Sequence, residues 1–413
     1  MKLGVVRGAA LYVGALIGPG LLLVPALGVQ AAGPASILAW AGLLVLSAPL
    51  AATFAALGVR YPVAGGVSAY VKAGLGDAAA AITGAWFVAA IFLGAPAVSL
   101  IGGYYVADLT GTGTTAAVAV AVGMLVIVTA SNALGLRVSS TLQLALSSTL
   151  VGLLAAALAV ALPERGGENW TPFAPHGWLA VGTAANILIW LFVGWEAVAQ
   201  LAGDFRRPAL DLPRAIMLAF VIVTVLYISL AVATVGVSGS TQSRVPLADL
   251  VSVGFGRVGR DVTALLAIAL TMGTMNVYMG AGAKLAAALA EAGAMPRLLK
   301  DHRDRSVPVR PLVAFAVVGL LLLGALLAGW LNATDLIRAT SSLFVCVYVL
   351  AIASAIRILR GRARLAAVAA IVMVGLIAAF SGRYIAVPAA VAALSLLQWS
   401  RSSSRTMSFL TYT

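Results

Sequence analysis

Two short runs of residues could do chemistry in this chain, because each interrupts an apolar stretch with groups that a helix leaves unpaired. Gly14-Ala15-Leu16-Ile17-Gly18-Pro19-Gly20 lies inside a stretch from Val5 to Ala32. Ile189-Trp190-Leu191-Phe192-Val193-Gly194-Trp195-Glu196-Ala197 places a glycine and a carboxylate well inside another. Hydrocarbon cannot satisfy the N–H and C=O groups that such breaks release, so they make sense where they line a protected cavity. Discontinuous helices of this kind build the central sites of many secondary transporters. Close helix packing is the plainer alternative, since Gly14 and Gly18 form a small-xxx-small pair in a chain with 43 glycines. Proline between two glycines, matched by a second break that carries an acid, favours a substrate site.

The elements that must position these runs are membrane helices. At 413 residues, 62% hydrophobic and 9% charged, with mean hydropathy +1.06, the chain is an all-α polytopic membrane protein and not a soluble domain. About twelve apolar segments, roughly 5–31, 36–59, 78–107, 114–133, 138–162, 178–203, 213–237, 260–290, 311–330, 333–359, 364–380 and 384–400, approach the ~20 residues needed to cross. The net charge of +13 is a matter of topology. With the N-terminus inside, only 6 of the 26 basic residues fall outside: Arg165, Arg244, Arg257, Arg260, Arg338 and Arg383. That bias puts both termini in the cytoplasm, implies an even number of spans, and argues against nucleic acid as a partner. A signal peptide is disfavoured, because the first apolar stretch exceeds a 7–15-residue leader core and its break would serve no purpose there. The lone Cys346 lies in an apolar segment and the only histidines, His176 and His302, in loops, so no disulfide framework, metal cluster or cofactor is implied.

Gly18 and Gly194 lie at comparable depths of the first and sixth segments. Five spans separate them, so a second copy of the first five would enter the membrane from the opposite side. The expected organisation is a five-helix repeat over 1–162, an inverted five-helix repeat over 178–359, and two peripheral helices over 364–400, forming one transport domain.

At this point the residues resemble the amino acid, polyamine and organocation permeases, which share the leucine-transporter fold. Besides the paired breaks, Arg60-Tyr61-Pro62-Val63-Ala64-Gly65-Gly66 with Tyr70 and Gly74 resembles the family's loop after the second helix. Asp204 with Pro208, Pro213, Arg214, Ala215 and Ile216 resembles its loop after the sixth, and Lys284, Ala290, Gly293 and Pro296 the turn after the eighth. The short chain and the Leu21-to-Pro25 continuation look most like the bacterial branch with exporters of methionine and branched-chain amino acids.

The resemblance implies a secondary transporter in the plasma or inner membrane that moves small neutral amino acids by alternating access. It assigns the substrate carboxylate to amides around Gly18 and Gly20, with Ala15 nearby, and the ammonium to carbonyls of Ile17, Phe192 and Val193 beside Gly194. Pro19 replaces the family's usual Ser or Thr and removes one amide and one hydroxyl. Trp190 aligns with a family tryptophan that stacks on substrate, and Trp195 is a second candidate to close over it; packing is the alternative for both. Met275 would present a soft apolar wall, and Asn276 either binds substrate or bonds another helix. Glu196 either carries protons or satisfies amides at the break, the latter being favoured because the family keeps an acid there across coupling ions. The coupling ion is expected to be H+, with Na+ open through hydroxyls such as Thr271 or Thr274; the lysine that replaces sodium in some members is absent from 138–162. Bulk at Gly20 is expected to block binding while sparing insertion. Uptake of cationic amino acids or polyamines is the alternative function, disfavoured because Glu196 is the one acid deep in a span. An intramembrane enzyme would need paired polar catalytic groups, which the spans lack, and a channel a filter motif. Oligomeric state is left open.

Overall fold

In a computed structural model of the chain, residues 3–61, 66–136, 140–162, 166–196, 205–238, 243–301 and 307–406 are described. Pro62 to Gly65, Ala197 and Asp204, on which part of the sequence reading fell, lie outside them. The first apolar stretch forms α1 (Val5–Leu16) and α2 (Val24–Ala32) around a 3-10 turn at Pro19–Leu22. Then follow α3 (Ser36–Arg60), α4 (Gly66–Leu75), α5 (Asp77–Thr110), α6 (Thr114–Ala133) and α7 (Ser140–Ala161). The sixth segment is α8 (Leu179–Leu188), tightening into a 3-10 turn at Ile189–Phe192. The remainder comprises α9 (Pro208–Ala233), α10 (Pro246–Glu291), α11 (Val309–Leu327), α12 (Ala333–Ile358), α13 (Gly361–Ala379) and α14 (Ala386–Thr406). Among the described residues, 9 helical stretches are long and apolar enough to cross a membrane, and the interrupted first and sixth segments supply shorter apolar helices.

Both expected breaks exist, and the helices on either side of them pack together. α1 lies along α9, α2 along α8, and α3 against both α8 and α9. α5 runs beside α6, α10 and α12 and forms the opposite wall. Close approach depends on small residues: a Cβ on Gly103 of α5 would run into the Ala117 carbonyl of α6, and one on Gly282 of α10 into Ile91. Without a hydrophobic driving force between helices in lipid, such close packing supplies much of the association energy. The outer helices show the other side of the same physics. Val313, Val317 and Leu321 on α11, and Leu365, Val368, Val372 and Leu376 on α13, form exposed apolar stripes at helical spacing, which water would penalise and hydrocarbon does not.

Two elements differ from the sequence reading. The stretch after the second segment is not all loop, because α4 buries Val67, Tyr70 and Val71 against α12. It is an amphipathic helix too short to span. The eighth segment also begins earlier than 260, since α10 starts at Pro246 and bends at Gly256, whose φ of 54° only glycine adopts cheaply. Arg260 beyond the bend holds Asp108 at the end of α5 through two bonds of 2.7 and 2.6 Å, and Asp249 before the bend at 2.8 Å. One guanidinium therefore pins the short leading arm of α10 onto α5.

Candidate functional site

The two breaks meet α5, α10 and α12 around a cavity of about 240 Å³. Of the residues expected to bind substrate, Ala15, Gly18, Pro19, Gly20, Trp190, Val193 and Met275 line it. No Asp, Glu, Lys, Arg or His side chain does so among the described residues. Its side-chain walls are apolar, from Phe87, Ile91, Val98, Leu191 and Phe344, with hydroxyls or amides only from Gln143, Thr274, Tyr278 and Thr340.

Polarity enters through the backbone. Ile17 closes α1 by donating to the Val13 carbonyl at 2.8 Å, and hydrogen bonding resumes with Leu21 to the Gly18 carbonyl at 3.1 Å. Between them the Gly18 and Gly20 amides donate to no other described residue, while Pro19 has no N–H to offer. Gly18 faces open space, with nothing within 4 Å of where a Cβ would stand. Gly20 does not: its Cβ would lie 2.8 Å from Leu191 Cδ2 and 3.3 Å from Trp190 Cδ1. Bulk at Gly20 would therefore push the two breaks apart, and Gly18 is the position where added bulk reaches the cavity alone.

The second break is held by phenols. Tyr227 of α9, fully buried, sets its hydroxyl 2.9 Å from the Leu16 carbonyl and 2.8 Å from the Leu191 carbonyl. One residue thereby clasps carbonyls released by both interruptions. Its ring packs edge-on against Trp40 and Phe192, with centroids 5.2 Å away in each case. Gly194 adopts a φ of 141°, and its amide donates to Glu196 Oε2 at 3.1 Å. Glu196 Oε2 also accepts from the Tyr348 hydroxyl at 2.6 Å. The acid thus satisfies an amide that the break leaves free, and it is buried outside the cavity lining.

Other expected residues sit elsewhere. Ile17 and Phe192 are buried in the core, off the cavity lining, and the Phe192 carbonyl is 3.5 Å from the Tyr348 hydroxyl. Trp195 is fully buried, stacks near Tyr12 at 6.0 Å and donates to Ser47 Oγ at 3.3 Å, so it supports the break from behind. Asn276 donates to Ser131 Oγ at 2.9 Å and to the Leu136 carbonyl at 3.2 Å, and its own carbonyl accepts from Asn132 at 3.2 Å. It joins α10 to α6 and lines a second cavity of about 490 Å³ on the N-terminal side of the break, near the exposed Lys284. Gly14, Ala15, Gln143 and Val277 line both spaces. Thr274 accepts from Gln143 Nε2 at 3.2 Å, and Thr271 donates to carbonyls of its own helix.

Sequence reasoning missed Tyr227, Tyr348 and the α5 and α12 wall. Their signal was present: a phenol deep in an apolar span needs a hydrogen-bond partner, and Phe87, Ile91, Gly94 and Val98 recur on one helical face.

A family model described as amino acid permease matches residues 3–407. The chain belongs to the amino acid permease family. The permease is 34% identical over 394 residues to the uncharacterized amino acid permease YecA of Bacillus subtilis, covering 94% of this chain and 93% of that one. It is 28% identical over 378 residues, 89% of this chain and 88% of the other, to the L-methionine/branched-chain amino acid exporter YjeH of Escherichia coli. A third relative, the branched-chain amino acid permease BcaP of Bacillus subtilis, is 29% identical over 261 residues, 57% of this chain and 55% of its own. The permease is thus a multi-pass membrane transporter and not an enzyme.

Proposed function

We propose that the permease moves neutral amino acids with aliphatic or thioether side chains across the cell (inner) membrane by alternating access. The observation that carries this is a cavity walled by apolar side chains and free of ionised ones among the described residues, lined also by Gly18 and Gly20, whose amides donate to no described residue. A zwitterion brings one carboxylate and one ammonium, each costing several kcal/mol if left bare. The Gly18 and Gly20 amides receive the carboxylate, aided by the fixed dipoles of the break. The Val193 carbonyl, at the cavity wall, accepts from the ammonium; the Ile17 and Phe192 carbonyls, off the lining, are secondary. Trp190 and Met275 flank the side chain. A polyamine would find no carboxylate in this lining.

On this reading the N- and C-termini are cytoplasmic, and residues 1–162 and 178–359 are inverted repeats with 364–400 peripheral. The second cavity, on the α1 side of the break, then opens inward. Export is the direction favoured by the similarity to an exporter, and H+ is the coupling ion proposed with it. The test is transport of radiolabelled methionine and leucine in proteoliposomes under an imposed pH or Na+ gradient. Methionine and leucine flux driven by the pH gradient is the expected result. Flux of putrescine without leucine would overturn the substrate assignment, and a strict Na+ requirement the coupling.

A further inference from the structure

Far from the breaks, basic side chains gather at one end of the bundle where no acid answers them. Arg357, in the last turn of α12, donates from Nη1 to the Gly74 carbonyl of α4 at 3.4 Å, and Ser354 donates to the Tyr70 carbonyl of the same short helix. The end of α12, α4 and the start of α13 therefore lie together, and α13 continues against α12 and α3. Arg357, Arg360, Arg362 and Arg364 fall within eight residues, all of them exposed. The last three form no ion pair among the described residues. The described residues of α3, α4 and α13 hold no Asp or Glu, and Asp77 at the start of α5 is already taken by Lys72 at 2.8 Å.

Topology alone asks for basic residues at such an end, but not for an apolar track aligned with them. Leu365, Val368, Val372 and Leu376 form that track, exposed by 42% to 69%. From Leu365 to Leu376 it runs about 16 Å along the helix, about the depth of one leaflet's hydrocarbon. At 100° per residue Arg362 and Arg364 flank the head of the track on either side. We propose that this corner binds an anionic phospholipid, with Arg360, Arg362 and Arg364 on the headgroup phosphate and one acyl chain along the α13 track. Guanidinium forks match phosphate oxygens, and a headgroup with its own ammonium is repelled by the same charges. Lipid binding here does not depend on what the central cavity carries.

The experiment measures binding of a fluorescent phosphatidylglycerol to the full-length permease in a neutral detergent, competed by unlabelled phosphatidylglycerol, phosphatidylcholine or inorganic phosphate. Only phosphatidylglycerol is expected to displace the probe. A variant combining Arg360→Gln, Arg362→Gln and Arg364→Gln is compared with one combining Arg206→Gln, Arg214→Gln and Arg297→Gln, which removes three exposed arginines elsewhere. Elution profile and thermal unfolding establish that each is folded. The first variant is expected to lose about 100-fold in affinity, at about 5-fold per arginine, and the second less than about 3-fold. Equal loss in both variants would make the binding diffuse attraction and overturn the site. Equal displacement by phosphatidylcholine would leave only an acyl contact, and equal displacement by phosphate a soluble anion site; either overturns the lipid assignment, as does a probe that never binds. The competition on wild type decides the matter even where the first variant does not fold.

Discussion

Replacing Tyr227 by phenylalanine probes the joint between the two breaks. The ring stays, so its edge-on contacts with Trp40 and Phe192 at 5.2 Å are kept. What goes is one hydroxyl lying 2.9 and 2.8 Å from the Leu16 and Leu191 carbonyls. Neither carbonyl accepts from a backbone N–H among the described residues, because each ends a helix at an interruption. A buried carbonyl left without a donor costs about 1–3 kcal/mol. Hydrogen bonds between membrane helices measure lower, about 0.6 kcal/mol on average and about 1.7 at most, since alternative partners are usually found. Here the phenol is packed against the Trp40 and Phe192 rings, a tight setting in which two carbonyls do not readily find new donors, so the higher range applies. Tyr227→Phe should cost about 1–3 kcal/mol, a factor of roughly 5 to 150 in the population of the joined site. The assay pairs thermal unfolding in detergent with methionine affinity. Tyr105→Phe is the control, since that phenol reaches only one of the two breaks, through the Leu22 carbonyl at 2.8 Å. If Tyr227→Phe lowers neither stability nor affinity more than Tyr105→Phe does, the clasp has no mechanical role.

Gly18→Ala should leave folding intact and weaken methionine binding by about 10-fold or more, because its Cβ meets no neighbour within 4 Å and intrudes on the ligand instead; isothermal titration beside a melting curve separates the two effects. Glu196→Ala leaves the Gly194 amide and the Tyr348 hydroxyl with only long contacts, 3.4 Å to each other and 3.5 Å from Tyr348 to the Phe192 carbonyl, and should destabilise by about 1–3 kcal/mol. Glu196→Gln, which keeps an acceptor oxygen, should be milder and retain pH-driven flux in proteoliposomes; loss of pH dependence with intact binding would make the acid a proton carrier. Arg260→Gln removes the bridge between Asp108 and Asp249 and should free the leading arm of α10. Faster proteolysis near Gly256, or faster labelling of a cysteine introduced at Val253, would report it, and the effect should shrink at high salt as the two carboxylates are screened.

The fold was largely legible because a membrane demands long apolar segments, and segments such as 114–133 reappear as α6 (Thr114–Ala133). α4 was missed for the same reason: at its length it cannot span, and its pattern of Val67, Tyr70 and Val71 speaks of a partner helix and not of lipid. The leading arm of α10 was missed because Asp249 within it, with Arg257 and Arg260 just beyond the bend, makes the stretch too polar to read as part of a span. Within the site, backbone features were the most readable, since Gly18, Pro19 and Gly20 state in their residue types that a helix stops. Side-chain direction was the least readable. Through Ile189–Phe192 the chain winds as a 3-10 turn and then passes the positive φ of Gly194. Helical spacing no longer tells which face a residue takes there. Trp190 therefore reaches the cavity while Trp195, an equal candidate on paper, lies behind the break against Tyr12 and Ser47.

The unused donors at the first break are amides, and this has an evolutionary consequence. A point mutation rewrites a side chain but leaves the peptide group in place, so apart from a change to proline no single codon can delete a donor at Gly18 or Gly20. Pro19, between them, is the position that carries no N–H. The walls carry no such protection, since every apolar side chain that bounds the cavity can be exchanged one at a time. If the proposed site is the amino acid site, a lineage built on this scaffold can try new cargoes by drift along α5 and α12, while the amides proposed to grip the group those cargoes share stay out of reach of ordinary mutation.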